Sequence, residues 1–104
     1  MRLIVPVLAI LVLFLGGAAD AAGAQRGRAY ARAHCARCHA IDRTSKSRMR
    51  SAPPLRTLHA RYPIEGLEEA LAEGMVTGHP TMPEIRLSPD RIGDFIAYLK
   101  SLER

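Results

Sequence analysis

Cys35-Ala36-Arg37-Cys38-His39 is the stretch on which the fold of this chain turns. Two cysteines two residues apart, followed at once by a histidine, is the spacing that attaches a c-type haem. On one turn of a helix, each thiol of such a pair can add to one vinyl group of the same porphyrin. The histidine that follows is then carried under the iron, with an imidazole nitrogen at bonding distance. The rest of the chain has to supply a pocket for that group.

Upstream of the motif lie two different segments. Arg2 precedes an apolar run from Leu3 to Leu15, broken only by Pro6, and then Gly16-Gly17-Ala18-Ala19. That order of charged, apolar and small-residue regions predicts a secretory leader over residues 1–24, cut near Ala24/Gln25 after the small-x-small triplet Ala22-Gly23-Ala24, with a product beginning at Ala22 as the alternative. The apolar run is too short for the ~20 residues that span a bilayer. The predicted mature domain is residues 25–104, in the periplasm. It is a small chain with few large apolar side chains, and a domain of that size usually needs a disulfide, a metal or a cofactor. The two cysteines could close only a tiny loop, which stabilises little. A covalently held, mostly apolar haem would complete the core instead.

Gln25 to Cys38 is rich in alanine and arginine and predicts a helix. Gly27, Tyr30, Ala31, His34 and Cys35 share one side of it, and Arg26, Arg28, Arg32 and Arg37 are free to face water. Periodicity disappears from Ile41 to Pro54, a polar and basic loop that ends extended at Ala52-Pro53-Pro54-Leu55. Leu55, Leu58 and Tyr62 predict a short helix or turn, stopped by Pro63. Ile64, Leu67, Ala70 and Leu71 predict a second amphipathic helix, with Glu65, Glu68 and Glu69 near its start and Gly74 at its end. Ser88-Pro89-Asp90 starts the last helix, whose apolar face is Ile92, Phe95, Ile96, Leu99 and Leu102. No stretch alternates like a strand. The fold class is all-α, three or four short helices joined by loops.

These residues resemble the class I cytochrome c family over essentially the whole mature chain. The resemblance rests on Cys35-Ala36-Arg37-Cys38-His39, on Ala52-Pro53-Pro54-Leu55 (similar to the family's Gly-Pro-x-Leu), on Met82-Pro83, and on Ile96-Ala97-Tyr98-Leu99 in the final helix. Gly27 matches the glycine that lets the family's first and last helices cross closely. Ala31 and Ala52 depart from its pattern. The resemblance implies one haem c, bound through Cys35 and Cys38, with His39 as proximal ligand and the backbone carbonyl of Pro53 as acceptor for its second ring nitrogen.

A sixth ligand has to come from a distant loop. Met1 leaves with the leader, Met49 lies in the polar loop, and Met75 follows a helix stop, where core filling is its ordinary use. Met82, bracketed by Pro80 and Pro83, is selected by ligand chemistry and loop position. His79 reads as a loop histidine. Arg56 and Arg61 are both candidates to neutralise a haem propionate.

The function expected is one-electron transfer between redox proteins, not enzymatic turnover. Two alternatives use the same residues: a thiol-disulfide oxidoreductase built on Cys35 and Cys38, and a haem sensor with an open iron site. A zinc site would need a second ligand pair, which the sequence lacks. The net charge is +5, and it stays +5 without the leader because Arg2 and Asp20 leave together. Arg43, Lys46, Arg48 and Arg50 could dock an acidic redox partner or a membrane respiratory complex, or could simply keep the loop soluble. The chain would act as a monomer or as a subunit of an electron-transfer complex. Export and the lack of interleaved aromatics argue against nucleic acid.

Overall fold

The first and last helices cross in contact, and a computed structural model describes the chain around them over residues 20–103. Helix α1 covers residues 20–34. A 3-10 turn, Leu55–Thr57, leads into the one-turn helix α2, Leu58–Arg61; α3 is Ile64–Glu73 and α4 is Pro89–Ser101. Among the described residues there is no strand, only an isolated antiparallel bridge between Met75 and Ile85. Most of the expected leader lies outside the described residues, and its expected boundary at Ala24/Gln25 falls inside α1.

Gly23, Gly27, Ala31 and Cys35, each four residues on, are the buried line of α1. Residues so spaced lie on one side of a helix. His34 is off this line and exposed, contrary to the expectation from sequence, with its ring stacked on Tyr30 at 4.5 Å between centroids. The helix also ends earlier than Cys38. The amides of Cys35 and Ala36 converge on the carbonyl of Ala31, at 2.8 and 3.0 Å, and those of Cys38 and His39 on the carbonyl of Cys35, at 3.2 and 2.9 Å. The haem motif therefore sits on a tightened turn that closes the helix.

Gly27 decides how near α1 and α4 come. A Cβ at this position would land on the carbonyl oxygen of Asp94 and stand 2.7 Å from the Cβ of Tyr98. No residue but glycine fits. Beside the crossing, Arg26 Nε and Nη2 each donate to Asp94 at 3.0 Å, a fork-to-fork pair that fixes register more than it stabilises.

Helix α4 begins at Pro89, whose missing N–H costs nothing there, with Asp90 in the first turn. Ser88 is extended but makes no side-chain cap; only its carbonyl is used, by the amide of Ile92 at 2.9 Å. All five residues of the expected apolar face are buried, and so is Tyr98. Burial of each large side chain stabilises by roughly 1.5–3 kcal/mol. Helix α3 adds Ile64 and Leu71, ends at Gly74 with φ of 107°, and packs on α4. The core remains thin: among the described residues, only Leu71 and Leu99 are large side chains removed almost completely from solvent.

A comparison of glycines tests the crossing. Gly27→Val should destabilise by about 3 kcal/mol, since neither the Asp94 carbonyl nor the Tyr98 Cβ can retreat without moving α4. Gly66→Ala in α3, where a Cβ meets nothing within 4 Å, should stabilise by roughly 0.5–1 kcal/mol. Thermal or denaturant unfolding of the two variants reads both values.

Candidate haem site

The chain between the haem motif and α2 is a loop closed at its neck. The amide of Leu55 donates to the carbonyl of Ala40 at 2.9 Å, which joins the residue after His39 to the residue after Pro54. Inside the loop, the Ala40 amide donates to Ser47 Oγ at 2.9 Å and the Met49 amide to the Cys38 carbonyl at 3.0 Å. Asp42 accepts from the amides of Thr44 and Ser45, at 3.0 and 2.7 Å, and from the Ser45 hydroxyl. Those bonds hold its carboxyl well below the usual range, at about 2. Arg56 Nη1 crosses the loop to the carbonyls of Ser45 and Asp42, at 2.7 and 3.3 Å. Of the two arginines considered for a propionate, Arg56 thus braces this loop, while Arg61 is exposed.

Closing the neck brings His39 to Pro53. The His39 Nδ1 and the Pro53 carbonyl oxygen are 2.7 Å apart. A carbonyl only accepts, so Nδ1 carries the proton and, in the neutral ring, Nε2 keeps its lone pair. Among the described residues Nε2 has no partner. Cys35 is buried and Cys38 half-buried, and neither is in a disulfide. Burial pushes the Cys35 thiol up to about 11, so it is protonated and a poor nucleophile at neutral pH.

Helix α4 is tied to the same loop from behind. The Tyr98 hydroxyl donates to the Ile41 carbonyl, and Arg43 Nη2 donates to the Ser101 carbonyl at 2.6 Å. The bond of Tyr98 had no signal in the apolar pattern, which predicts only which side the ring takes. Neither did the backbone bonds at the loop neck, which any residue types can make.

The methionines are placed differently from one another. Met75 is partly buried against the core and locked by its main chain, with its amide on the Ile85 carbonyl at 2.7 Å and its carbonyl taking the Ile85 amide at 3.2 Å. Met82 is half-buried in a turn where its amide donates to the His79 carbonyl at 3.1 Å. That turn leans on the loop around Pro53: Thr81 Oγ1 lies 3.9 Å from Met49 Sδ and 2.9 Å from His79 Nδ1, and His79 Nε2 is 3.4 Å from Ser51 Oγ. His79 is an exposed loop residue.

The residues present fit a haem. A neutral imidazole with a free, oriented Nε2 is the right donor for iron, and the two thiols stand on the turn before it. Ile41, Leu58, Leu67, Met75 and Ile85 pack on the core yet stay partly exposed. Two open hollows of about 380 Å³ lie elsewhere, beside Tyr30, His34 and Arg91, and none of the site residues lines them. No group of three or more His, Cys, Asp or Glu suited to a metal ion occurs among the described residues.

The sequence model of the cytochrome c family matches residues 24–103. This chain belongs to the cytochrome c family, a family of covalently haem-bearing electron carriers. No curated protein and no solved structure matches it.

Covalent attachment makes a prediction about stability. Cys35→Ser combined with Cys38→Ser should yield little folded protein, because the thin core depends on the attached group. Helicity and cooperative unfolding by circular dichroism check this; a soluble, cooperatively melting double variant without haem would refute it.

Proposed function

We propose that this protein is an exported monohaem electron carrier of the periplasm, in which Cys35 and Cys38 would hold the haem through thioethers and His39 and Met82 would ligate its iron. The observation that carries this reading is the His39–Pro53 contact of 2.7 Å, which leaves one imidazole nitrogen free and holds the ring in one orientation. Haem supplies the one-electron iron couple when bound.

The chain's own residues do the rest. Donation from Nδ1 to a backbone carbonyl fixes the tautomer of His39 and raises the basicity of Nε2. The carbonyl belongs to a proline in a closed loop, so it cannot swing away. A thioether from Met82 is a soft donor that favours the reduced state and raises the potential. With both residues holding the iron, the protein would leave it no position for oxygen or a substrate. Met75 is ill placed for this role, because its main chain is held in the bridge to Ile85. The protonated Cys35 thiol argues against a thiol-disulfide enzyme, whose attacking cysteine needs a lowered value.

For partners, the reading is redox proteins with an acidic docking surface. Lys46, Arg48 and Arg50 are exposed and, among the described residues, make no salt bridge, on a loop that Asp42, Ser47 and Arg56 hold in shape. An ordered display of positive charge steers encounter with an acidic patch.

The ligand assignment is tested by the weak near-infrared charge-transfer band of sulfur on ferric haem. Met75→Leu should keep the band, at a packing cost of under ~1.5 kcal/mol. Met82→Leu should abolish it, open the reduced protein to carbon monoxide and lower the potential. The reverse pattern would overturn the choice of Met82.

Docking is tested by kinetics. Replacing Lys46, Arg48 and Arg50 with neutral residues should lower the association rate with an acidic redox protein and flatten its dependence on ionic strength. The reduction potential should hardly change. A rate that stays put would leave the loop as a solubility device.

A further inference from the structure

Helix α1 is longer than a leader ending at Ala24 would leave it. It is already helical at residue 20, and Gly23 is buried. A Cβ built on Gly23 would lie 3.5 Å from Asp94 Oδ1 and 3.8 Å from the Cβ of Ala97, ordinary contact distances that place this end of α1 against α4. Gly23, Gly27 and Ala31 are spaced four apart on the side of α1 that faces α4. Gly23 is the outer end of the same crossing that Gly27 occupies.

A mature chain starting at Gln25 would lose that end. Ala97 would be uncovered, and Arg26, which grips Asp94 at 3.0 Å through two nitrogens, would become the second residue of a fraying terminus. The first four amides of a helix lack intrahelical acceptors. With a start at Gln25 those orphans would run through the closest point of the crossing at Gly27.

The sequence holds a second small-x-small triplet upstream, Ala19-Asp20-Ala21. We propose that the leader is cut at the Ala21–Ala22 bond, on the N-terminal side of Gly23, so that Gly23 stays in the mature protein as part of the α1–α4 contact. The step is hydrolysis by a leader peptidase of the exporting membrane: water adds across the peptide bond, leaving a carboxylate on Ala21 and an ammonium on Ala22. This inference rests on the reading of the N-terminal segment as a cleaved leader and moves its boundary by three residues from Gln25 to Ala22.

Two measurements on the exported holoprotein test it. Intact mass and N-terminal sequencing should give Ala22 as the first residue; a chain beginning at Gln25 overturns the proposal. A product still carrying Met1 overturns the leader reading itself, and this assignment with it. The second measurement uses a variant lacking residues 22–24, in which Ala21 is followed directly by Gln25. Cut at the same triplet, it yields the shorter mature chain, and its thermal midpoint, followed by haem absorbance, should fall by ~4 °C or more. An unchanged midpoint would show that Gly23 contributes nothing to the folded protein and would overturn the proposal.

Discussion

Everything in this fold depends on two helices lying closer together than side chains normally permit. At Gly27 the main chain of α1 rests on the Asp94 carbonyl and the Tyr98 Cβ, with no room for even a methyl group. That contact sets the position of Cys35, two turns further along the same buried line. It also sets α4, whose Tyr98 and Ser101 reach the loop that follows His39. One glycine thus places both the turn that bears the thiols and the segment that bears His39.

The two sides of the proposed iron site are held by different means. On the histidine side, the neck between Ala40 and Leu55, the Met49 amide on Cys38 and the Arg56 brace make a loop with little freedom. On the methionine side, residues 76–84 are closed by one bridge at their base and meet the opposite loop at Thr81 and His79. Val76, three-quarters exposed, shows how little of that segment packs on the core. Loops with few buried contacts open at lower free energy than the elements they join.

Much of the architecture was legible because local patterns and global packing agree. The face of α4 named from spacing alone is buried in full, and the glycine expected at the helix crossing is there. The haem-binding roles proposed for Cys35, Cys38 and His39 rest on a different ground: that chemistry requires those residue types at that spacing. What escaped the sequence was decided by contacts between distant segments. Helix α1 stops at 34 because several amides compete for the carbonyls of Ala31 and Cys35. His34 turns outward because the buried line steps by four from Gly23, not by three. The neck that presents His39 to Pro53 is a main-chain hydrogen bond, which leaves no mark in residue type; Pro53 entered only through family resemblance. Ser88 looked like a cap and uses only its carbonyl.

The pairing of α1 with α4 has a consequence for the order of events as the chain is made. Arg26 and Asp94 stand 68 residues apart in sequence, so the partner of the first helix is synthesised long after it. Closing so long a loop costs entropy before any contact repays it, and helices as short as these are marginal alone in water. Until α4 emerges, α1 has nothing to rest on, and the two thiols stay on an unburied segment. The time between their appearance and the arrival of the last helix is an interval in which a machinery acting on unfolded chain can reach them.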